Sequence, residues 1–480
     1  MNSDKLLMLG GALMSSMATT YAAGASVEAP TPTDDKRPNI LIVLGDDCSY
    51  SDLSCFGGPN AITPNMERLA SQGVTFDNCF QATAMSSPTR HCLYTGLYPL
   101  TSGAYPNHTF VRNDVKSFVQ HFGNIGYRTA LYGKEHISPK SVFSYDYLGE
   151  YKDGNMNFDR ICNYITQDAA QPFFMVVASH ESHGPYTVGD PSHWDYKKIK
   201  LPPHIVDTEA VRKEYVRYLA EIEVLDSQLG KIMNMLDEEG MADNTVLVFL
   251  SEQGNAFPFA KWTCYNQGLH SGMIVRYPGL TQANTRTDAL VEYADVLPTM
   301  LQLAGEQPAK DYQFSGRSFY DVLAGKTDTH KQYAYGIHTT RGIMNGSEYY
   351  GVRSITDGHF SYIINLTPEA EFQCAANKSE SRDKDMFGWV GLAKKGNKLA
   401  KKQVYRYRHR PAEELYNLDK DPYSLNNLVD KKKYAEVKER LRTQLLNWMN
   451  EQGDKGQQTE MEAYEHMCDW AQPGYKKNKK

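Results

Sequence analysis

The sequence predicts an α/β protein with a mostly parallel sheet sandwiched by helices, followed by a smaller C-terminal α+β subdomain. Three observations carry this. Runs apolar at every position recur between Asn39 and Val275, as in strands buried on both faces. Helical periodicities lie between those runs, and such alternation implies parallel pairing. From about Gln332 the pattern changes to short Tyr- and Ile-rich runs bounded by Gly and Asp, which read as antiparallel strands. The 480 residues divide on this basis into a large domain, 36–330, and a second unit, 331–480.

Composition narrows the class. Hydrophobic residues at 41% and charged residues at 22% are ordinary globular values, unlike those of disordered, collagen-like or coiled-coil chains. A net charge of -6 argues against general nucleic-acid binding, which needs a positive field over much of the surface. An anionic ligand therefore requires a local basic pocket.

The elements follow in order. Lys5 precedes an apolar, small-residue run from Leu6 to about Ala18, and Tyr21-Ala22-Ala23 supplies a cleavage site, so 1–23 reads as a signal peptide. The run is shorter than the ~20 residues of a spanning helix, no later segment reads as a membrane span, and the mature protein is expected to be periplasmic or secreted. Cys48, Cys55, Cys79, Cys92, Cys162, Cys264, Cys374 and Cys468 show no zinc-like spacing, and disulfide pairing stays open. After a linker, Ala29 to Pro38, comes a strand, Asn39 to Leu44, ending in Gly45-Asp46-Asp47. Strands are expected again at Arg128 to Tyr132, Phe173 to Ala178, Thr245 to Leu250 and Met273 to Val275. Helices are expected at Thr63 to Gln72, Pro88 to Thr95, Val115 to Phe122, Glu209 to Glu239 and Ala294 to Leu303. The second unit should hold strands at Tyr333 to His338, Tyr349 to Ile355 and His359 to Leu366, followed later by the segment Glu414 to Leu418 and a terminal helix from about Lys432 to Asn450. A basic insertion, Ser379 to Lys402, lies between. The Lys-rich stretch from Lys394 to Arg410 reads as a solvated loop, with contact to an anionic polymer as the alternative.

In such sheets ligands bind beyond the carboxyl ends of the strands, where the chemically informative residues cluster. Ser86-Ser87-Pro88-Thr89-Arg90 opens a helix, with Pro88 in the first turn. A helix N-terminus favours an anion, and Arg90 lies four residues on, on the same face as Ser86. Asp46 and Asp47 adjoin just past a strand, where two carboxylates need a cation between them and hard oxygen ligands select Ca²⁺ or Mg²⁺. Gly133-Lys134-Glu135-His136 follows another strand, and in extended backbone Lys134 and His136 point the same way. Each motif alone is also compatible with an ordinary cap, loop or strand end.

Together these motifs resemble the type I sulfatases, whose signature is Cys or Ser, any residue, Pro, Ser or Thr, Arg, then a Leu/Thr-Gly segment. The resemblance runs from about Pro38 to Leu428 and implies an alkaline-phosphatase-like fold. It implies that Ser86 is oxidised after translation to formylglycine, by a formylglycine-generating maturase. The strand followed by Ser251-Glu252-Gln253-Gly254 resembles the family's Ser-Asp-Asn/His-Gly motif, with both side chains one methylene longer. Asp46, Asp47, Ser86, Glu252 and Gln253 are then the implied ligands of Ca²⁺, with Mg²⁺ as the alternative ion and substrate contact as the alternative for Gln253. The implied catalytic set is Ser86, Arg90, Lys134, His136, His183 and Lys261. His183-Gly184-Pro185 resembles the family's His-x-Pro segment and makes His183, rather than His180, the implied proton donor. Arg90, Lys134 and Lys261 would oppose the charge on a sulfate.

Phe257-Pro258-Phe259-Ala260-Lys261 resembles the sulfamidase (heparan N-sulfatase) branch, as does the Gly-Lys-x-His motif extended to Val142. Trp262 and Tyr265 are candidates for stacking on a sugar, with packing beside the pocket as the equally common alternative. The expected substrate is a sulfated saccharide, with N-sulfoglucosamine first and O-sulfated galactose or N-acetylhexosamine as alternatives. A phosphatase or phosphonate hydrolase of the same superfamily, or an unconverted sulfated-glycan binder, are the rival functions.

Overall fold

The computed structural model describes residues 37–306, 312–376 and 385–472. The expected signal peptide and part of the basic insertion lie outside the described residues. The main sheet is built from β1 (Asn39–Leu44), β2 (Val74–Phe80), β3 (Arg128–Gly133), β4 (Asp146–Tyr147), β5 (Phe173–Ala178), β6 (Thr245–Leu250), β7 (His270–Arg276), β8 (Thr285–Thr287) and β9 (Val291–Glu292). Its order is β4-β3-β5-β1-β6-β7-β2-β8, with β9 also on β2. Pairing is parallel from β4 to β6, and β7 runs antiparallel to both its neighbours.

Every residue of β5 and β6 is buried because both faces of the sheet are covered. Alternate residues feed separate cores. Leu41, Val43, Leu247 and Phe249 meet the long helix Glu209–Glu238 through Leu219, Ile222 and Leu225. Ile40, Ile42, Val246 and Val248 face Leu93 and Tyr94 of the helix Ser86–Thr95 and Leu297 and Met300 of the helix Val296–Leu303. Each such side chain contributes on the order of 1.5–3 kcal/mol by burial.

The C-terminal sheet is antiparallel, β10 (Ala334–His338), β11 (Val352–Thr356), β12 (Phe360–Asn365) and β13 (Glu413–Asn417) in sequential order. The helix Ala435–Glu451 packs Leu441, Leu445 and Trp448 against Ile355, Tyr362 and Leu415 of this sheet. Arg353 of β11, fully buried, pairs with both Asp454 and Glu460. Both sheets belong to one compact unit. Met467 bridges back to Thr109 of the larger part.

Several elements differ from expectation. β2 was not anticipated: Asp77 and Asn78 interrupt its apolar pattern, at the irregularity where the register shifts between Phe76 and Cys79. The helix expected from Val115 begins at Phe118, because Ser117 accepts a bond from Val119 N and forms a capping box with Gln120. The basic insertion is not a solvated loop where it is described. It carries the helices Trp389–Lys394 and Lys398–Arg408, anchored by buried Trp389, Ala400 and Tyr407. Its arginines turn inward, Arg406 lying 4.2 Å from the centre of the Phe259 ring, while Lys394, Lys395, Lys398, Lys401 and Lys402 face solvent. Tyr265 is buried with its hydroxyl 3.0 Å from Glu414 Oε2, so it packs the interior and offers no face to a sugar. Cys48, Cys55, Cys79, Cys92, Cys162, Cys264 and Cys468 are free thiols. Among the described residues no helix is long and apolar enough to cross a membrane.

Candidate active site

The register of the parallel strands assembles the site. Leu44 of β1 pairs with Leu250 of β6, so Asp46 and Glu252, each two residues further on, emerge side by side, as do Asp47 and Gln253. Asp47 and Glu252 both adopt the left-handed conformation, φ 58°, which aims neighbouring side chains at one point and costs roughly 1–3 kcal/mol at each residue. Neighbouring bonds hold it: Asp46 N donates to Glu181 O at 2.9 Å and Glu252 N to the Tyr293 hydroxyl at 2.9 Å. β3 delivers Lys134, whose backbone N donates to Ala178 O of β5 at 3.0 Å. That close passage explains Gly133, where φ is 93° and a Cβ would stand 2.1 Å from Ala178 O.

Ser86 opens the buried helix Ser86–Thr95 after extended Met85, and Gly96 ends it at φ 68°. Its Oγ lies 3.2 Å from Asp46 Oδ1 and 3.4 Å from Glu252 Oε2, and it accepts from Gln253 Nε2 at 2.8 Å. Arg90, fully buried one turn along, reaches Glu252 Oε1 at 2.9 Å and Asp46 Oδ1 at 3.5 Å. Lys134 Nζ pairs with Asp46 and Lys261 Nζ with Asp47. The loop carrying Lys261 is tied to the approach of the Ser86 helix, since Trp262 N donates to Ala84 O at 3.0 Å. His183 Nε2 sits 3.0 Å from Lys261 Nζ and 3.4 Å from Asp47 Oδ2, while its Nδ1 lies 2.7 Å from Gly184 O. That contact puts the ring proton on Nδ1 and leaves Nε2 facing the site.

Electrostatics follow from this packing. Burial pushes Asp46 upward, but Lys134, His183 and Arg90 together hold its carboxyl well below the usual range. Burial, with the adjacent charge of Asp46, pushes Glu252 well above it despite Arg90. Two neighbouring buried carboxyls of opposite tendency need a proton or a cation between them. Asp47 draws His183 upward, but burial and Lys261 outweigh this and leave the imidazole below its ordinary value.

Oxygens of Asp46, Asp47 and Glu252 lie within 4.8 Å of one another, all three residues fully buried. Gln253 Oε1 has no hydrogen-bond partner, whereas its Nε2 faces Asp47, Ser86 and Glu252. A half-turn of that amide adds a fourth oxygen to the cluster. The all-oxygen donor set thus fits a hard divalent cation, extra methylenes included.

The structure therefore brings Asp46, Asp47, Ser86, Arg90, Lys134, His183, Glu252, Gln253 and Lys261 into one connected cluster. His136 stands beside it: its Nε2 lies 2.8 Å from His108 Nδ1, its own Nδ1 has no partner, and burial with Lys134 nearby holds its pKa well below the ordinary value. His180 is near Glu150, 3.5 Å away, on the wall of a cleft of about 290 Å³ that His183 also lines. His108 and Tyr293 were missed by sequence reasoning. Each is a lone polar residue whose partner is distant in the chain.

A buried carboxylate cluster beneath a helix N-terminus, ringed by three cations, is an arrangement suited to binding an anionic group beside a metal ion. Comparisons specify it. Residues 38–306 match the sulfatase family, and residues 254–364 match the N-sulphoglucosamine sulphohydrolase C-terminal family. An ulvan-active sulfatase of Formosa agariphila is 31% identical over 429 residues, covering 87% of this chain and 81% of that protein. Human N-sulphoglucosamine sulphohydrolase is 24% identical over 477 residues, covering 87% and 91%. A solved structure with bound substrate, D-glucosamine-2-N,6-O-disulfate, superposes with a TM-score of 0.66 at 21% identity, covering 88% of this chain and 99% of that one. The chain belongs to the sulfatase family and is a sulfate ester or sulfamate hydrolase.

Proposed function

We propose that this protein removes sulfate from a sulfated sugar after Ser86 has been converted to formylglycine by a maturase. N-sulfoglucosamine is the first candidate substrate, and an O-sulfated hexosamine or galactose is the second. The observation that carries the reading is the placement of Ser86 Oγ, 3.2 Å from Asp46 at a helix N-terminus, with Arg90, Lys134 and Lys261 converging from three other directions. Hydrated formylglycine would carry two hydroxyls on one carbon, one to attack sulfur and a second whose deprotonation re-forms the aldehyde and expels sulfate; serine lacks that second hydroxyl. A hard divalent ion, Ca²⁺ with Mg²⁺ as the alternative, held by Asp46, Asp47, Glu252 and Gln253, supplies charge that makes such a hydroxyl acidic.

The chain's own residues do the rest. Arg90 and the helix N-terminus hold the sulfate oxygens, and Lys134 and Lys261, at the mouth of the cluster, oppose charge that grows in the transition state. His183, whose Nε2 takes up a proton when the bound anion raises the imidazole's pKa, gives that proton to the departing oxygen or nitrogen. His136, kept neutral by burial and Lys134, holds its unpartnered Nδ1 ready to take a proton. The sulfamidase-like C-terminal family match supports a sulfamate. The test is a screen of converted protein against defined N- and O-sulfated monosaccharides, reading inorganic sulfate. Turnover of N-sulfoglucosamine above all O-sulfated sugars is expected, and turnover of a phosphate or phosphonate ester alone refutes the proposal.

A further inference from the structure

Arg341 is 3% exposed, and its Nε and Nη1 have no hydrogen-bond partner. Its guanidinium carbon lies 3.9 Å from the centre of the Tyr349 ring and 3.8 Å from that of Tyr464. No ion pair reaches it among the described residues. Arg353 shows what the fold does for a structural arginine, since it is equally buried and is paired with Asp454 and Glu460. Buried cations are rarely left without an anion. Stacking between two rings favours the cation and fixes its plane, but it satisfies neither N–H group.

The position of Arg341 gives this meaning. Asn107 N donates to Arg341 O at 3.4 Å, and Asn107 Nδ2 to Gly342 O at 3.1 Å. The next residue, His108, pairs with His136 and feels the charges of Lys134 and Lys261. Tyr464 belongs to the C-terminal segment that returns across this rim, where Cys468 N donates to His108 O at 2.9 Å. Trp470 ends that segment, 57% exposed, with its ring 5.0 Å from that of His108.

We propose that Arg341 forms a second anion subsite beside the sulfate pocket. It takes a carboxylate or a further sulfate on the sugar next to the one being desulfated, and Trp470 flanks it as a ring face. The inference rests on the proposed function only in taking the ligand to be a sulfated saccharide. The substrate class this selects is an oligosaccharide charged on two adjacent sugars.

Calorimetric titration of the full chain with unmodified Ser86 tests it, because binding is then read without turnover. The probes are a disaccharide of a sulfated hexosamine and a uronic acid, its analogue with the uronic carboxyl reduced to an alcohol, and that analogue bearing a sulfate in its place. Both doubly charged probes should bind at least about 10-fold more tightly than the reduced one. Arg341→Gln should lose about 10–100-fold on the charged probes, as expected for hydrogen bonds to a charged group, and under 2-fold on the reduced one. Arg341→Lys should recover part of the loss, and serves if the Gln variant melts early. Equal binding of charged and reduced probes by the wild type, or equal losses on both, overturns the subsite. Sulfate release by converted protein on the same compounds is scored separately, so absent turnover with this binding pattern refutes the proposed function alone.

Discussion

Removing the His183 imidazole should separate proton donation from sulfate binding. The side chain is 41% exposed and its ring nitrogens meet Gly184 O, Lys261 and Asp47, so His183→Ala removes a side chain at the site's surface and not from the core. Stability should therefore change by no more than about 0.5 kcal/mol, and kinetic losses report chemistry. In the resting site Asp47 pulls the imidazole toward protonation, but burial and Lys261 hold its pKa below the ordinary value. An anion bound among Arg90, Lys134 and Lys261 adds negative charge and competes for Lys261, which raises that pKa and loads Nε2 with a proton. A sugar alkoxide or amine cannot leave without that proton, whereas an activated phenolate can. Positioned acids contribute about 10²–10⁴-fold. His183→Ala should thus slow a sulfated sugar about 100-fold more than an activated aryl sulfate, a difference of about 2.7 kcal/mol in barrier. The assay is kcat/KM on both substrates with one converted preparation. Equal losses would refute the reasoning, assign His183 to anion or metal binding, and leave His180 as the next donor.

Other outcomes follow from the same geometry. Active protein should contain one equivalent of Ca²⁺ or Mg²⁺ by elemental analysis, and Asp47→Asn should weaken that binding at least about 10-fold; two equivalents of zinc would contradict the oxygen-ligand site. Arg353→Met should cost about 3–5 kcal/mol in urea unfolding, because it strands the buried carboxylates of Asp454 and Glu460, and a loss under about 1 kcal/mol would show that they are otherwise satisfied.

Much of the main sheet was legible because β1, β5 and β6 are apolar at nearly every position and bounded by polar turns. β2 was not, since a register shift lets Asp77 and Asn78 interrupt a buried strand, and β4 and β9, of two residues each, leave no pattern at all. The basic helices escaped notice because their buried side is only a few residues wide, Trp389, Ala400 and Tyr407, among many lysines. At the site, local motifs named Ser86, Arg90, Asp46, Asp47 and Lys134 because each sits at a strand end or helix start. The exchange of contacts among them is set by the β1–β6 register, and the pairing of His108 with His136, 28 residues apart, has no local signature. For Tyr265 the local pattern left sugar stacking and interior packing both open, and only the tertiary contact with Glu414 of β13 decides for packing.

The most direct test of the central claim follows Ser86 itself. Preparations differing in the fraction of Ser86 converted, measured by peptide mass as a loss of one hydrogen molecule, should release sulfate in proportion to that fraction, with none at zero conversion. Full turnover by protein whose Ser86 is wholly unmodified would contradict the account.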